Sequence, residues 1–349
     1  MYQVVRKILF WFPPEVVHHF SMSSLGFADK IPGVSRLLRP GVCSDPQLKK
    51  EVFGLEFANL VGLGAGFDKN ALYLDELATL GFGFAEIGTV TPLPQQGNEK
   101  PRLFRIPEHK AIINRMGFNN DGVKMVAGRL RHWRIGSKRR QLIIGGNIGK
   151  NKATPNEDAW KDYELCFREL FDSVDYFVIN VSSPNTPGLR ELQEKESLHK
   201  ILSHLQTINK NKATPKPLLL KIAPDLSNFQ LDDVIDLSME IDLDGIVATN
   251  TTISRDGLFS LPEETIKEIG AGGLSGKPLM QRSTEVVRHI HDKTGGKMPV
   301  IASGGIFGYA DVKEKLAAGA SLVQLWTGFI YEGPGIVRHI CQGLIKNEN

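Results

Sequence analysis

The sequence predicts an α/β fold in which eight parallel strands, each followed by a helix, close into one (β/α)8 (TIM) barrel behind an N-terminal two-helix extension. Three observations carry that prediction. Eight short apolar runs alternate with helix-period stretches, most runs end in Gly-, Asn- or Thr-rich turns, and the first forty residues differ in texture from the rest.

The eight runs are Asn59 to Gly64, Phe82 to Gly88, Leu142 to Asn147, Tyr176 to Val181, Leu218 to Ile222, Gly245 to Thr249, Pro299 to Ser303 and Leu322 to Trp326. Between them, 71–80, 157–172, 197–207, 231–241, 283–293 and 310–318 carry apolar residues at helical spacing. The second connection, 89–141, is too long for a plain loop and holds Pro92, Pro94, Pro101 and Pro107, so an elaborated cover over the active site is expected there. The barrel is expected to occupy 46–349 and the extension 1–40.

In the extension Val4, Val5, Ile8, Leu9 and Phe12 fall at helical spacing, Pro13-Pro14 interrupts, and Val16, Val17, Phe20 and Met22 resume the pattern. Arg6 and Lys7 lie beside Phe10, Trp11 and Phe12, with no acidic residue before Glu15. That is the composition of a helix resting in a membrane interface, and it equally suits an arm packed on its own barrel.

Apolar residues make up 41% of the 349 and charged residues 23%, as in ordinary globular proteins. The formal charge is +3 and the longest basic run is Lys138-Arg139-Arg140, read as a solvated helix end, so no nucleic-acid partner is expected. Cys43, Cys166 and Cys341 form neither a disulfide framework nor a metal-binding pair, and no metal is expected. No apolar window is long enough to span a bilayer, and no secretory signal or long transit peptide is recognisable.

In such barrels chemistry gathers at the C-terminal ends of the strands. Here those ends are polar: Ala65-Gly66-Phe67-Asp68-Lys69, Thr89, Asn147, the run from Asn180 to Asn185 that includes Ser182-Ser183, and Thr249-Asn250-Thr251. The last two strands end in Ser303-Gly304-Gly305 and Trp326-Thr327-Gly328, where barrels commonly seat a phosphate. Lys221 lies inside a strand that should be buried, so its ammonium needs an anion, a ligand or a depressed pKa. A Schiff-base nucleophile, a cation facing an electron-rich cofactor and a structural ion pair all remain open for it.

The run Asn180-Val181-Ser182-Ser183-Pro184-Asn185-Thr186-Pro187-Gly188-Leu189-Arg190 closely resembles quinone-linked class 2 dihydroorotate dehydrogenases. So do 64–69, 86–92, 114–119 and 221–225, and the resemblance covers essentially the whole chain. It implies an FMN enzyme that oxidises (S)-dihydroorotate to orotate in pyrimidine (UMP) synthesis and passes electrons to ubiquinone or menaquinone. The class 1 enzymes use a cysteine base, and no cysteine lies near this loop, which favours class 2.

Carried over by motif, Ala65, Gly66, Phe67, Asp68, Lys69, Thr89, Asn147, Asn180, Lys221, Thr249, Gly272, Gly305, Trp326 and Thr327 would bind FMN. Lys69, Asn114, Arg115, Met116, Gly117, Phe118, Asn180, Asn185, Asn250 and Thr251 would hold the substrate, and Ser183 would be the base. Lys69 would meet the carboxylate while the asparagines pair with the amide edges of the ring. His18 and Arg105 match positions lining a quinone tunnel between the two N-terminal helices. Trp326 departs from the tyrosine usual in relatives, leaving the phosphate only its backbone N–H at this position. The resemblance, with a chain that starts in a helix, implies a monomeric enzyme bound peripherally to the cytoplasmic side of a bacterial membrane. Other readings are a tRNA dihydrouridine synthase-like FMN barrel, a Schiff-base aldolase resting on Lys221, and a membrane-attached barrel without chemistry.

Overall fold

The computed structural model describes residues 2–31, 41–136 and 141–347; the Lys138-Arg139-Arg140 triplet and 32–40 of the extension lie outside the described residues. Eight parallel strands close into a barrel in sequence order: Val61–Leu63, Phe84–Val90, Ile143–Ile148, Tyr176–Asn180, Leu218–Ile222, Gly245–Ala248, Val300–Ser303 and Leu322–Leu325. Every expected run overlaps one of these strands, with the second and third strands running on to Val90 and Ile148, past the expected ends at Gly88 and Asn147. The ring closes where Val323, Gln324 and Leu325 pair with Val61, Gly62 and Leu63.

Helices follow the strands in turn: Leu74–Thr79, Val123–Gly136, Ala159–Leu170, Lys195–Lys210, Asn228–Ile241, Met280–Thr294, Tyr309–Ala317 and Ile336–Asn347. Covered on both faces, the strands read as near-continuous apolar runs, and Tyr176–Asn180 and Leu218–Ile222 are buried at every position, Asn180 and Lys221 included. Local signals set the helix ends. Before Asn228, Ser227 Oγ accepts the Gln230 N–H at 3.3 Å while Gln230 Oε1 accepts the Ser227 N–H at 3.0 Å, a reciprocal cap.

A hairpin, Lys50–Val52 with Leu55–Phe57, closes the N-terminal end of the barrel, where Phe57 packs edge-on against Phe84 at 5.4 Å. At the other end the long second excursion supplies Leu103–Ile106 and Ala111–Asn114. They join Gly273–Gly276, from the excursion after the sixth strand, in a three-stranded antiparallel sheet with its own small core of Ile106, Ala111, Ile113, Leu258 and Leu274.

The extension forms two helices, Tyr2–Leu9 and Pro14–Lys30, broken at Pro13. The second continues past Met22, where the apolar pattern weakens, and packs against Leu74–Thr79. Polar ties dock the pair: Tyr2 donates to Ile330 O at 2.7 Å, Arg6 to Tyr331 O at 2.7 Å, and Arg102 pairs with Glu15 at 2.9 Å. Large apolar side chains still face outward, among them Val4, Ile8, Phe12, Val16, Phe20 and Trp11, the last 81% exposed. Among the described residues no helix is long and apolar enough to cross a membrane.

Candidate active site

A cavity opens at the C-terminal ends of the strands, and most of the sequence-derived candidates meet there. Its wall includes Ala65, Gly66 and Lys69 after the first strand, Thr89 in the second, Asn180, Ser183 and Asn185 at the fourth, and Lys221 in the fifth. Thr249, Asn250 and Thr251 follow the sixth strand, Gly304 and Gly305 the seventh, and Trp326 and Thr327 the eighth. The long second excursion contributes Asn114, Met116, Gly117 and Phe118.

Five candidates stand back from this wall. Asn147 lies beneath it, accepting the Thr89 hydroxyl at 2.6 Å. Asp68 caps a turn, its oxygens accepting the Leu72 and Tyr73 N–H groups at 2.8 Å each, while burial raises its carboxyl pKa. Phe67 faces a second cavity. Gly272 lies behind Asn114, where a Cβ would come within 2.8 Å of Asn114 O. Arg115 turns outward, over the Phe104 ring at 4.9 Å, and donates to Ile269 O at 2.8 Å. Sequence reasoning missed Ser275, Gly276, Leu279, Ile306 and Gln324 in the wall.

Amides and hydroxyls knit the floor together. Asn180 Nδ2 donates to Thr89 Oγ1 at 2.8 Å, and Asn250 Nδ2 donates to Ser182 Oγ at 3.1 Å. Asn185 Nδ2 donates to Asn114 Oδ1 at 3.0 Å, so asparagines from separate excursions meet across the cavity. Ser183 Oγ accepts the Asn185 N–H at 3.3 Å, and among the described residues no imidazole or carboxylate takes its proton.

Two lysines bring charge. Lys69 reaches Asn119 Oδ1 and lies 3.4 Å from Gly117 O; burial first, then the nearby Arg102 charge, pulls its pKa down to about 7, with Glu15 opposing. Lys221 is lowered by burial, and Glu86, 3.9 Å away, partly restores it.

A second cavity of about 490 Å³ lies between the two N-terminal helices and the barrel mouth, and His18 and Arg105 both line it. Arg105 donates to Phe10 O at 3.1 Å and to Phe12 O, with its guanidinium over the Phe10 ring. His18 packs edge-on to Phe67 at 4.5 Å, and burial, with the charges of His19 and Lys69, lowers its pKa to about 4. Gly66, Lys69, Met116 and Trp326 form a wall common to both cavities. Among the described residues no cluster of His, Cys, Asp or Glu is placed to hold a metal.

Comparison with known proteins agrees with this architecture. The dihydroorotate dehydrogenase family profile matches residues 47–347. A dihydroorotate dehydrogenase (quinone) of Christiangramia forsetii is 54% identical over 98% of both chains, and one of Thermosynechococcus vestitus is 50% identical over 95% of this chain and 92% of its own. The crystal structure of DHODH in complex with ferulenol from Eimeria tenella superimposes with a TM-score of 0.85 at 38% identity, covering 96% of this chain and 91% of that one. With a family profile spanning the whole barrel and relatives of about half identity over nearly its full length, the chain belongs to the quinone-dependent dihydroorotate dehydrogenases.

Proposed function

We propose that this protein oxidises (S)-dihydroorotate to orotate in pyrimidine synthesis, using FMN in the strand-end cavity, and returns the electrons to a membrane quinone through the second cavity. The observation that carries this reading is the shared wall: one cavity is lined by amides and lysines, the other by the apolar arm, and Gly66, Lys69, Met116 and Trp326 separate them.

The cavity suits FMN on its own chemistry. Gly304 and Gly305 hold positive φ of 123° and 74°, a Cβ on Gly305 would lie 2.4 Å from Met280 Cα, and their N–H groups make no hydrogen bond to the described residues. Those donors, with the backbone of Trp326 and Thr327, would hold the phosphate. Ala65, Gly66, Thr89, Asn180, Lys69 and Thr249 would contact the remainder, with Phe67, Asp68, Asn147 and Gly272 supporting them from behind. Lys221 makes no hydrogen bond to the described residues, so its donors would be left for an electron-rich ring edge. FMN, when bound, supplies the acceptor for the hydride that leaves C6.

The chain's own work is binding and proton transfer. Lys69 would pair with the substrate carboxylate; Asn114, Asn185, Asn180, Asn250 and Thr251 would clamp the amide edges; Met116, Gly117 and Phe118 would close the wall. Arg115 would act from outside the cavity, fixing this segment through its bonds to Pro101 O and Ile269 O. Ser183 would take the proton from C5, passing its own to water because no protein base adjoins it. His18 and Arg105 would line the quinone path, and the exposed apolar face of the arm (1–40) would rest on the cytoplasmic side of the membrane, with the barrel (46–349) as a monomer beside it. Ser183→Ala should keep its flavin yet be reduced by dihydroorotate at least about a hundredfold more slowly at neutral pH. Full activity in that variant would remove Ser183 from the role.

A further inference from the structure

One carboxylate near the cavity has no part in that chemistry. Glu86, midway along the second strand, is 0% exposed, where barrels ordinarily place branched aliphatic side chains. Its Oε2 accepts Asn147 Nδ2 at 3.3 Å and lies 3.9 Å from Lys221 Nζ, while Oε1 accepts the Gln324 amide. The second, third, fifth and eighth strands thus converge on one buried charge.

We propose that Glu86 is a positioning residue acting through Lys221: its carboxylate is the counter-charge that keeps the Lys221 ammonium charged and aimed into the cofactor cavity. The inference rests on the reading that this cavity holds FMN.

A knot that merely fills the barrel explains the geometry less well. Replacing a buried ion pair by apolar side chains is often neutral or stabilising, so core packing alone gives little reason to keep it. The same molecule also shows how a structural buried lysine spends its donors. Lys315 reaches Met280 O at 3.0 Å, Ser283 Oγ at 2.5 Å and Thr284 Oγ1 at 2.6 Å. Lys221 makes no such bonds to the described residues; it has a charge beneath it and the cavity before it.

Other ionisable groups are few. Tyr176, on the fourth strand, is raised well above its ordinary pKa by burial and by Glu86, so it stays neutral. Asp175, just before that strand, is committed to Arg134 at 2.6 Å and to the Ile144 N–H at 2.7 Å. Among the described residues Glu86 is the charge that opposes the burial lowering Lys221.

Glu86→Gln is a mild probe because Gln324 Oε1 has no hydrogen-bond partner: a flip of that amide presents an acceptor to the new NH2 group. E86Q should retain FMN. Its ammonium should deprotonate at lower pH, so between pH 6 and 8.5 flavin reduction by dihydroorotate should acquire a falling limb, at least tenfold down at pH 8.5 and recovered at pH 6. At pH 8.5 the bound-flavin midpoint potential of E86Q should lie below that of the wild type by at least a tenfold change in equilibrium, about 30 mV for a two-electron couple, and at pH 6 the two should coincide. In a Lys221→Met background E86Q should move that potential no further, whereas E86D, which keeps the charge, should retain the wild-type profile.

Wild-type potentials in E86Q at both pH values, an equal shift with and without Lys221, or an E86D as impaired as E86Q would each overturn the assignment. Wild-type protein that carries no FMN, or is not bleached by dihydroorotate, would overturn the reading of the cavity and this inference with it.

Discussion

If Lys69 binds the substrate carboxylate, affinity for orotate must depend on pH in a way the structure specifies. The Lys69 ammonium is half-buried, has no carboxylate in salt-bridge contact among the described residues, and has its pKa lowered to about 7 by desolvation and the Arg102 charge. Only the charged form pairs with the anion, and the pair in turn raises the lysine pKa, so binding above pH 7 takes up a proton. The dissociation constant should therefore scale as 1 + 10^(pH − pKa): nearly flat at about pH 6, about elevenfold weaker at about pH 8 and about a hundredfold weaker at about pH 9. The last figure corresponds to about 2.7 kcal/mol. Titrating orotate into the flavin-loaded protein and following the visible band measures it. Lys69→Arg, charged throughout, should bind more weakly but without this slope, which also controls for titration of the ligand. An affinity constant within threefold from pH 6 to 9 in the wild type would refute the reasoning.

Gly305→Ala places a methyl against the Met280 backbone at a positive φ, and retention of FMN should drop at least about tenfold through dialysis. Deleting residues 1–40 should leave flavin reduction by dihydroorotate within a few-fold while quinone turnover falls at least about tenfold; equal loss of both would make the arm purely structural. His18 favours its neutral form in the folded protein, its pKa lowered from 6.5 to about 4, so its contribution to stability is complete above 6.5 and is lost as the pH falls toward 4. Between pH 7 and 5 the wild-type melting temperature should therefore drop more than that of His18→Phe, and parallel curves would show that the ring carries no such linkage.

Much of this architecture is legible in the sequence because the barrel repeats one signal. Runs such as Leu218 to Ile222 are apolar but for Lys221, since helices cover one face and the barrel core the other, and a polar turn follows each. The three-stranded sheet escapes that logic. Its strands are four residues each, and Gly273–Gly276 contains only one large apolar side chain, Leu274. Its pairing with Ala111–Asn114 bridges separate excursions, which no local pattern encodes. Ser275 and Gly276 enter the cavity wall through that pairing, so they were missed with it.

The interior polar layer was partly visible. Lys221 stands out in an apolar run; Glu86 between Ala85 and Ile87 and Gln324 between Val323 and Leu325 carry the same signal but were not singled out by it. What sequence could not supply is their convergence, which depends on the barrel's closure. Arg115 illustrates the reverse limit: it sits in a motif whose neighbours line the cavity, yet the strand ending at Asn114 and the Phe104 ring direct its guanidinium outward.

The proposed function requires one cavity to take electrons from dihydroorotate and hand them across the shared wall to a quinone. Its most direct test is anaerobic addition of dihydroorotate to the purified, flavin-loaded protein while the visible flavin band is followed. The band should bleach, and a soluble quinone should restore it where NAD or fumarate does not; a flavin-loaded protein that dihydroorotate leaves unbleached would exclude this electron path.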